Sequence, residues 1–226
     1  DENAPAPYRI GVWRVLARST SGAERDFYIG RIREVMHDPQ ATDRISAAES
    51  LGKLNAASRS DRSFLSRWLE TADDATAPYP LWNLVLSSNS SERENDETTL
   101  AKYLSSSDPV SRIRAAFALG RLKTLSPKTI AAFREQLTVE SVDSIARIYL
   151  ITGLLLHEKN AAVAADLEKQ LTPYLSHEKP NELLEIGIAL GLRGNPKDVT
   201  ILEPILKNPE ADARIGAANG LLKLLK

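Results

Sequence analysis

The sequence contains no cysteine, so it can form neither a disulfide nor a thiolate metal site, and cysteine usage says nothing about the redox compartment. No stretch approaches the ~18 consecutive apolar residues that a membrane-spanning helix needs. Charge of one sign is also missing: 29 Lys and Arg stand against 30 Asp and Glu, a formal charge of -1. No net field therefore draws the chain to nucleic acid or to an anionic bilayer, although a balanced total leaves room for a local basic patch. There is no Gly-rich phosphate loop, no Gly-x-Ser-x-Gly and no His-Glu-x-x-His, so no motif supports an enzyme. The chain opens on "DENAPAP" without Met. That fits a processed signal peptide or a trimmed chain, and inclines the reading towards an exported or periplasmic protein.

What is present is a repeated phrase. "DPVSRIRAAFALGRL" (108 to 122) returns as "DPQATDRISAAESLGKL" (38 to 54) and as "NPEADARIGAANGLLKL" (208 to 224). With Arg112 as position zero, equivalents fall at Arg9, Arg44, Pro78, Arg147, Glu185 and Arg214, at spacings of 35, 34, 34, 35, 38 and 29 residues. Position +1 holds Ile10, Ile45, Tyr79, Ile113, Ile148, Ile186 and Ile215. Position +7 holds Leu16, Leu51, Val85, Leu119, Leu154, Leu192 and Leu221. Positions +1, +4, +7 and +8 share one arc of a 3.6-residue helix, so each unit contributes one amphipathic helix, called B here. Between them lie second helical patterns, called A, at 24 to 36, 61 to 69, 96 to 104, 127 to 137, 161 to 175 and 197 to 206.

A chain of 226 residues with 42% hydrophobic and 26% charged residues is long enough for a sizeable core. A period near 34 in helical hairpins predicts an all-α fold of about thirteen helices: an α-α superhelix, or solenoid, of about six and a half hairpin repeats in one domain over 1 to 226. Pro78 and Pro80 predict a third B helix that starts late or kinks. The polar run "SSNSSERENDETT" (87 to 99) predicts a mobile loop, and the pair suggests an irregular seam at 76 to 99.

Asp108, Pro109, Ile113, Ala115, Ala116, Leu119 and Gly120 together resemble the short HEAT-like repeats related to those of bilin lyases. Arg114 matches the Arg that those repeats carry after the aliphatic position, whereas Ser46 and Gly216 depart from it. The resemblance covers nearly the whole chain and implies the solenoid, with B helices lining its concave side. Because such repeats serve many functions, it implies no one activity.

The arginine position invites an anion-binding reading, yet it lies on the arc of the Ile and Leu positions. Asp108, Asp143 and Glu210 stand four residues before Arg112, Arg147 and Arg214, which predicts a ladder of ion pairs tying repeats together. The histidines each precede an acid, at His37-Asp38, His157-Glu158 and His177-Glu178. Deoxyhypusine hydroxylases, which this fold resembles, bind iron through such pairs inside their helices; here the pairs fall at helix ends, and neither metal nor other cofactor is expected. Alkylpurine glycosylases, a further related solenoid family, use Trp and Asp on DNA, but Trp13 and Trp82 sit at the core position +4 and Trp68 on a buried spacing. No nucleic-acid partner is expected.

Positions +2, +5, +6 and +9 are left to face outward. They are unusually small, with Gly187, Gly191, Gly216 and Gly220 among them, and interior glycine costs a helix ~1 kcal/mol relative to Ala. The glycines read either as close packing of neighbouring B helices or as a smooth groove for a partner. Against them Arg114, Phe117, Arg121, Tyr149, Thr152, Leu156 and Leu190 form the candidate partner-binding patch, aromatic and aliphatic with an arginine rim. The functional expectation is a non-catalytic scaffold or adaptor that binds a protein or peptide. An auxiliary or chaperone-like enzyme subunit is the alternative the bilin lyase resemblance implies. Oligomeric state stays open. The apolar-rich helices at both ends call either for caps in a larger parent or for pairing with another molecule.

Overall fold

A computed structural model describes residues 5–142, 144–175 and 179–225, with only the backbone at Ala6. Among these residues the secondary structure is entirely helical, with thirteen α-helices, three short 3-10 turns and no strand. The chain divides into two compact units, Asp1–Ala118 and Leu119–Lys226.

The first unit holds α1 (Ala6–Ser19), α2 (Gly22–His37), α3 (Arg44–Lys53), α4 (Arg62–Leu69), α5 (Pro78–Ser87), α6 (Arg93–Ala101) and most of α7 (Pro109–Gly120). Within it α1, α3 and α5 are B helices, and each packs on the next; α2 lies against α1 and α3, while α4 and α6 lie against α5. Its core is built from Ile10, Ile32, Met36, Leu51, Leu65 and Trp82, all almost fully buried.

The second unit holds α8 (Pro127–Val139), α9 (Ile145–His157), α10 (Ala161–Leu175), α11 (Pro180–Arg193), α12 (Val199–Ile205) and α13 (Ala211–Leu224). The same order recurs, with α9 on α11 and α11 on α13, and the A-type helices α8, α10 and α12 beside them. Phe133, Ile148 and Leu150 anchor its core.

Local chemistry explains the helix starts. In the Asp-Pro opening of α7, the Asp108 carboxylate accepts the Ser111 amide at 2.7 Å, and Pro109 follows where no amide is needed. Ser126 caps α8 and Ser144 caps α9 in the same way. Gly194 ends α11 in the left-handed conformation, φ 71°. Helix α5 begins at Pro78, so both prolines sit in a first turn that has no intrahelical amide bonds to lose.

The polar run differs from its expectation. Instead of a mobile loop over 87 to 99, α6 begins at Arg93, and Ser88 to Glu92 form a short turn. Asn89 Oδ1 accepts the amides of Ser91 and Glu92, and Glu92 takes the Asn89 amide and the Arg59 guanidinium. Asp96 is buried against Arg62 at 2.9 Å. Asp96 is thus an inward partner for Arg62 and Glu92 a surface partner for Arg59, pairings that composition alone does not reveal.

Candidate functional site

The repeated arginines act on helix ends. Arg44 donates to the Met36 carbonyl at 3.2 Å, and Arg112 to Ser106 at 2.9 Å and Ser107 at 3.2 Å. Arg147 donates to Leu137 at 2.6 Å and Glu140 at 3.1 Å, and Arg214 to Asn208 at 2.8 Å and Pro209 at 2.5 Å. Arg44 and Arg147 therefore cap carbonyls at the close of α2 and α8, the groups that a helix C-terminus leaves without intrahelical donors, while Arg112 and Arg214 hold carbonyls of the loop that leads into their own helix. Of the predicted ladder acids, Asp108 serves as the cap of α7, and Asp143 lies outside the described residues. In α11 the position is Glu185, and it is ion-paired with Arg121.

The seven residues of the predicted patch divide between the units and are mostly spent on structure. In the first unit Phe117 is only 5% exposed, edge-on to Tyr79 and Trp82 at centroid distances of 6.4 and 5.7 Å. Arg114 donates to the Ala75 carbonyl at 2.5 Å and lies over the Tyr79 ring at 5.4 Å. In the second unit Leu190 and Thr152 are buried, with the Thr152 hydroxyl donating to Ile148 at 2.8 Å. Tyr149, Leu156 and Arg121 are half-buried. The outward placement of Phe117, Thr152 and Leu190 is thus corrected. Neighbouring B helices supply the cover: Tyr79 and Trp82 of α5 lie against Phe117, and α9 and α13 both pack on α11.

Glycine makes that cover close. A methyl on Gly187 would lie 2.3 Å from the Gly216 carbonyl carbon, and one on Gly191 2.5 Å from the Gly220 Cα. Gly52 receives the Trp82 ring, and Gly120 faces the Gly153 Cα. Of the two readings of the small face, helix packing describes these glycines. The same approach overturns part of the expected core: α13 buries Ala213, Gly216, Ala217 and Gly220, leaving Ile215 52% exposed.

His37 lies 3.1 Å from buried Asp61, which also takes Arg33 at 3.0 Å, and its ring sits on Phe64 with centroids 4.4 Å apart. His157 is half-buried, and His177 and Glu178 lie outside the described residues. Among the described residues no group of three or more His, Asp or Glu could hold a metal ion, and no helix is long and apolar enough to cross a membrane.

The surface that sequence reasoning missed is on the first hairpin. Tyr8 and Phe27 are the exposed aromatic side chains among the described residues, at 67% and 61%. Tyr8, Val12 and Val15 form a stripe at i, i+4 and i+7 of α1. At the equivalent positions α5 buries Ala77, Leu81 and Leu84, α9 buries Ala146, Leu150 and Gly153, and α13 buries Ala213, Ala217 and Gly220. Half-buried Trp13 lies beneath two guanidiniums, those of Arg9 at 5.9 Å and Arg31 at 5.5 Å from its ring centre. No signal in the repeat marks them, because Leu81, Leu84 and Leu150 at the same positions are as large and are buried.

No family model matches the sequence, and no curated protein matches it. Among solved structures, the crystal structure of an engineered protein aligns over 96% of this chain and 96% of its own, at 16% identity and a TM-score of 0.47.

Proposed function

We propose that the protein is a non-catalytic scaffold that binds a protein partner, built of helical hairpins stacked as the HEAT-like solenoid its repeats resemble. The succession of B helices within each unit, α1 on α3 on α5 and α9 on α11 on α13, supports the stacking. The observation that carries the binding role is the first hairpin. Its two exposed aromatics, exposed valines and arginine-flanked Trp13 have the composition of interaction hot spots, whereas the remaining aromatic side chains among the described residues are buried or half-buried.

The test is affinity capture from native extract with the full chain, comparing wild type with the Tyr8→Ser, Phe27→Ser double variant. Both positions are exposed, so helical content by circular dichroism should not change. Specific partners retained by the wild type and lost by the variant are expected; an identical retained set removes the reading.

A further inference from the structure

Resting on that reading, we infer that the first hairpin docks an amphipathic helix whose apolar stripe is flanked by acidic residues. Repeat geometry points to a helical occupant. Where the stripe recurs within each unit, a neighbouring B helix reaches it: Ser50 of α3 accepts from Arg14 of α1 at 3.2 Å, and Gly220 of α13 lies against the Gly187 backbone of α11. Helix α1 presents larger side chains in the same arc, Tyr8, Val12 and Val15, with open space at Gly11 between them. A helix laid along α1 would bury these three as neighbouring B helices bury theirs, an association of the helix-in-groove kind.

Charge selects the partner. Helix α1 carries Arg9, Arg14 and Arg18 and no acid. Over residues 5 to 37 six arginines face three carboxylates, against a chain that is nearly neutral overall. Arg18 and Arg31 are exposed at the surface. Acidic residues beside an apolar stripe complement this rim. A second copy pairing α1 with α1 would set arginine helix against arginine helix. A phosphate polymer would leave the stripe of Tyr8, Val12 and Val15 wet.

Two fluorescent synthetic helical peptides test it. Both carry leucine at i, i+3, i+4 and i+7; one is flanked by glutamate, the other by lysine. Titrated with the full chain, the glutamate peptide should bind, more weakly at high salt, and the lysine peptide should not. Tyr8→Ser or Val12→Ser should weaken the glutamate peptide on the order of tenfold, and Arg31→Glu should shift preference towards the lysine peptide. Equal binding of both peptides, or glutamate-peptide binding indifferent to Tyr8→Ser, overturns the inference. So does self-association in sedimentation that Val12→Glu abolishes, or Tyr8-dependent binding to anionic vesicles without peptide binding. If the glutamate peptide fails while Tyr8-dependent capture from extract persists, the acidic helix falls and the scaffold reading stands; if that dependence is also absent, both fall.

Discussion

Gly187 of α11 and Gly216 of α13 meet backbone to backbone, so that the first carbon of any side chain on Gly187 would lie 2.3 Å from the Gly216 carbonyl carbon and 2.5 Å from its oxygen. Nothing at that contact can yield except the helices themselves. Alanine at Gly187 would gain ~1 kcal/mol of helix propensity but must force the pair apart, and overpacking costs ~1–3 kcal/mol or more where backbone is the obstacle. Gly187→Ala is therefore expected to lower stability. Gly30→Ala in α2, where a methyl meets nothing within 4 Å, should raise it by ~0.5–1 kcal/mol. Urea denaturation of the two variants checks the pair; a Gly187→Ala protein at least as stable as wild type would show that α11 and α13 do not approach this closely.

Phe117 carries a second prediction. It is buried against Tyr79 and Trp82, and the Lys53 ammonium lies 5.0 Å from its ring centre. Phe117→Ala should lower stability by about 3–5 kcal/mol, as truncation of a buried aromatic does. A thermal melt unchanged by the substitution would return Phe117 to the surface and restore it as a candidate contact.

Helical periodicity made the elements legible because a side chain's angle around its own helix follows from sequence spacing alone. The phrase around Arg112 located α7. What covers each face depends on how neighbouring helices approach, which periodicity does not encode. Phe117 and Leu190 were therefore expected outside and lie inside, while Ile215 and Leu192 were expected inside and lie exposed. In α6, buried Asp96 and Glu97 made a structured segment look like loop, since their partners Arg62 and Arg93 include one from another element. The candidate site was missed for a related reason. Tyr8 and Val12 stand at positions that are buried elsewhere, and only the absence of a covering helix among the described residues distinguishes them.

The arginine caps make a third, graded prediction. Arg147 is half-buried, and it holds the Leu137 and Glu140 carbonyls at the close of α8 together with the Gln170 side chain at 3.0 Å. Arg147→Met removes a charged donor and leaves those carbonyls poorly solvated, a loss of about 1.5–3 kcal/mol. Arg214 bonds Asn208 and Pro209 in the open, where water can replace it, so Arg214→Met should cost less than ~1 kcal/mol. Chemical denaturation gives the order; equal losses, or the reverse order, would mean that burial does not set the strength of these caps.

Asp198 supplies a pH dependence whose sign is opposite to that of a salt-bridged carboxylate. Burial pushes its carboxyl up to about 6; Arg193, 3.4 Å away, opposes the rise and Glu168 adds to it. An unfolded aspartate titrates near ~3.9. Below both values each state holds the proton and the group has no effect on the balance. Between about 4 and 6 the folded chain keeps a proton that the unfolded chain has released, so stability falls as pH rises; above that window both states are ionised and the loss, roughly 2–3 kcal/mol, is complete. Asp198→Asn keeps the shape and cannot ionise, and Arg193 still has Glu168 at 2.5 Å. The variant should match wild type near pH 4 and exceed it at neutral pH, with the difference growing across the window. Urea titrations at closely spaced pH values measure that difference directly. A gap between the two proteins that stays constant from acid to neutral pH would mean that Asp198 does not take up its proton on folding.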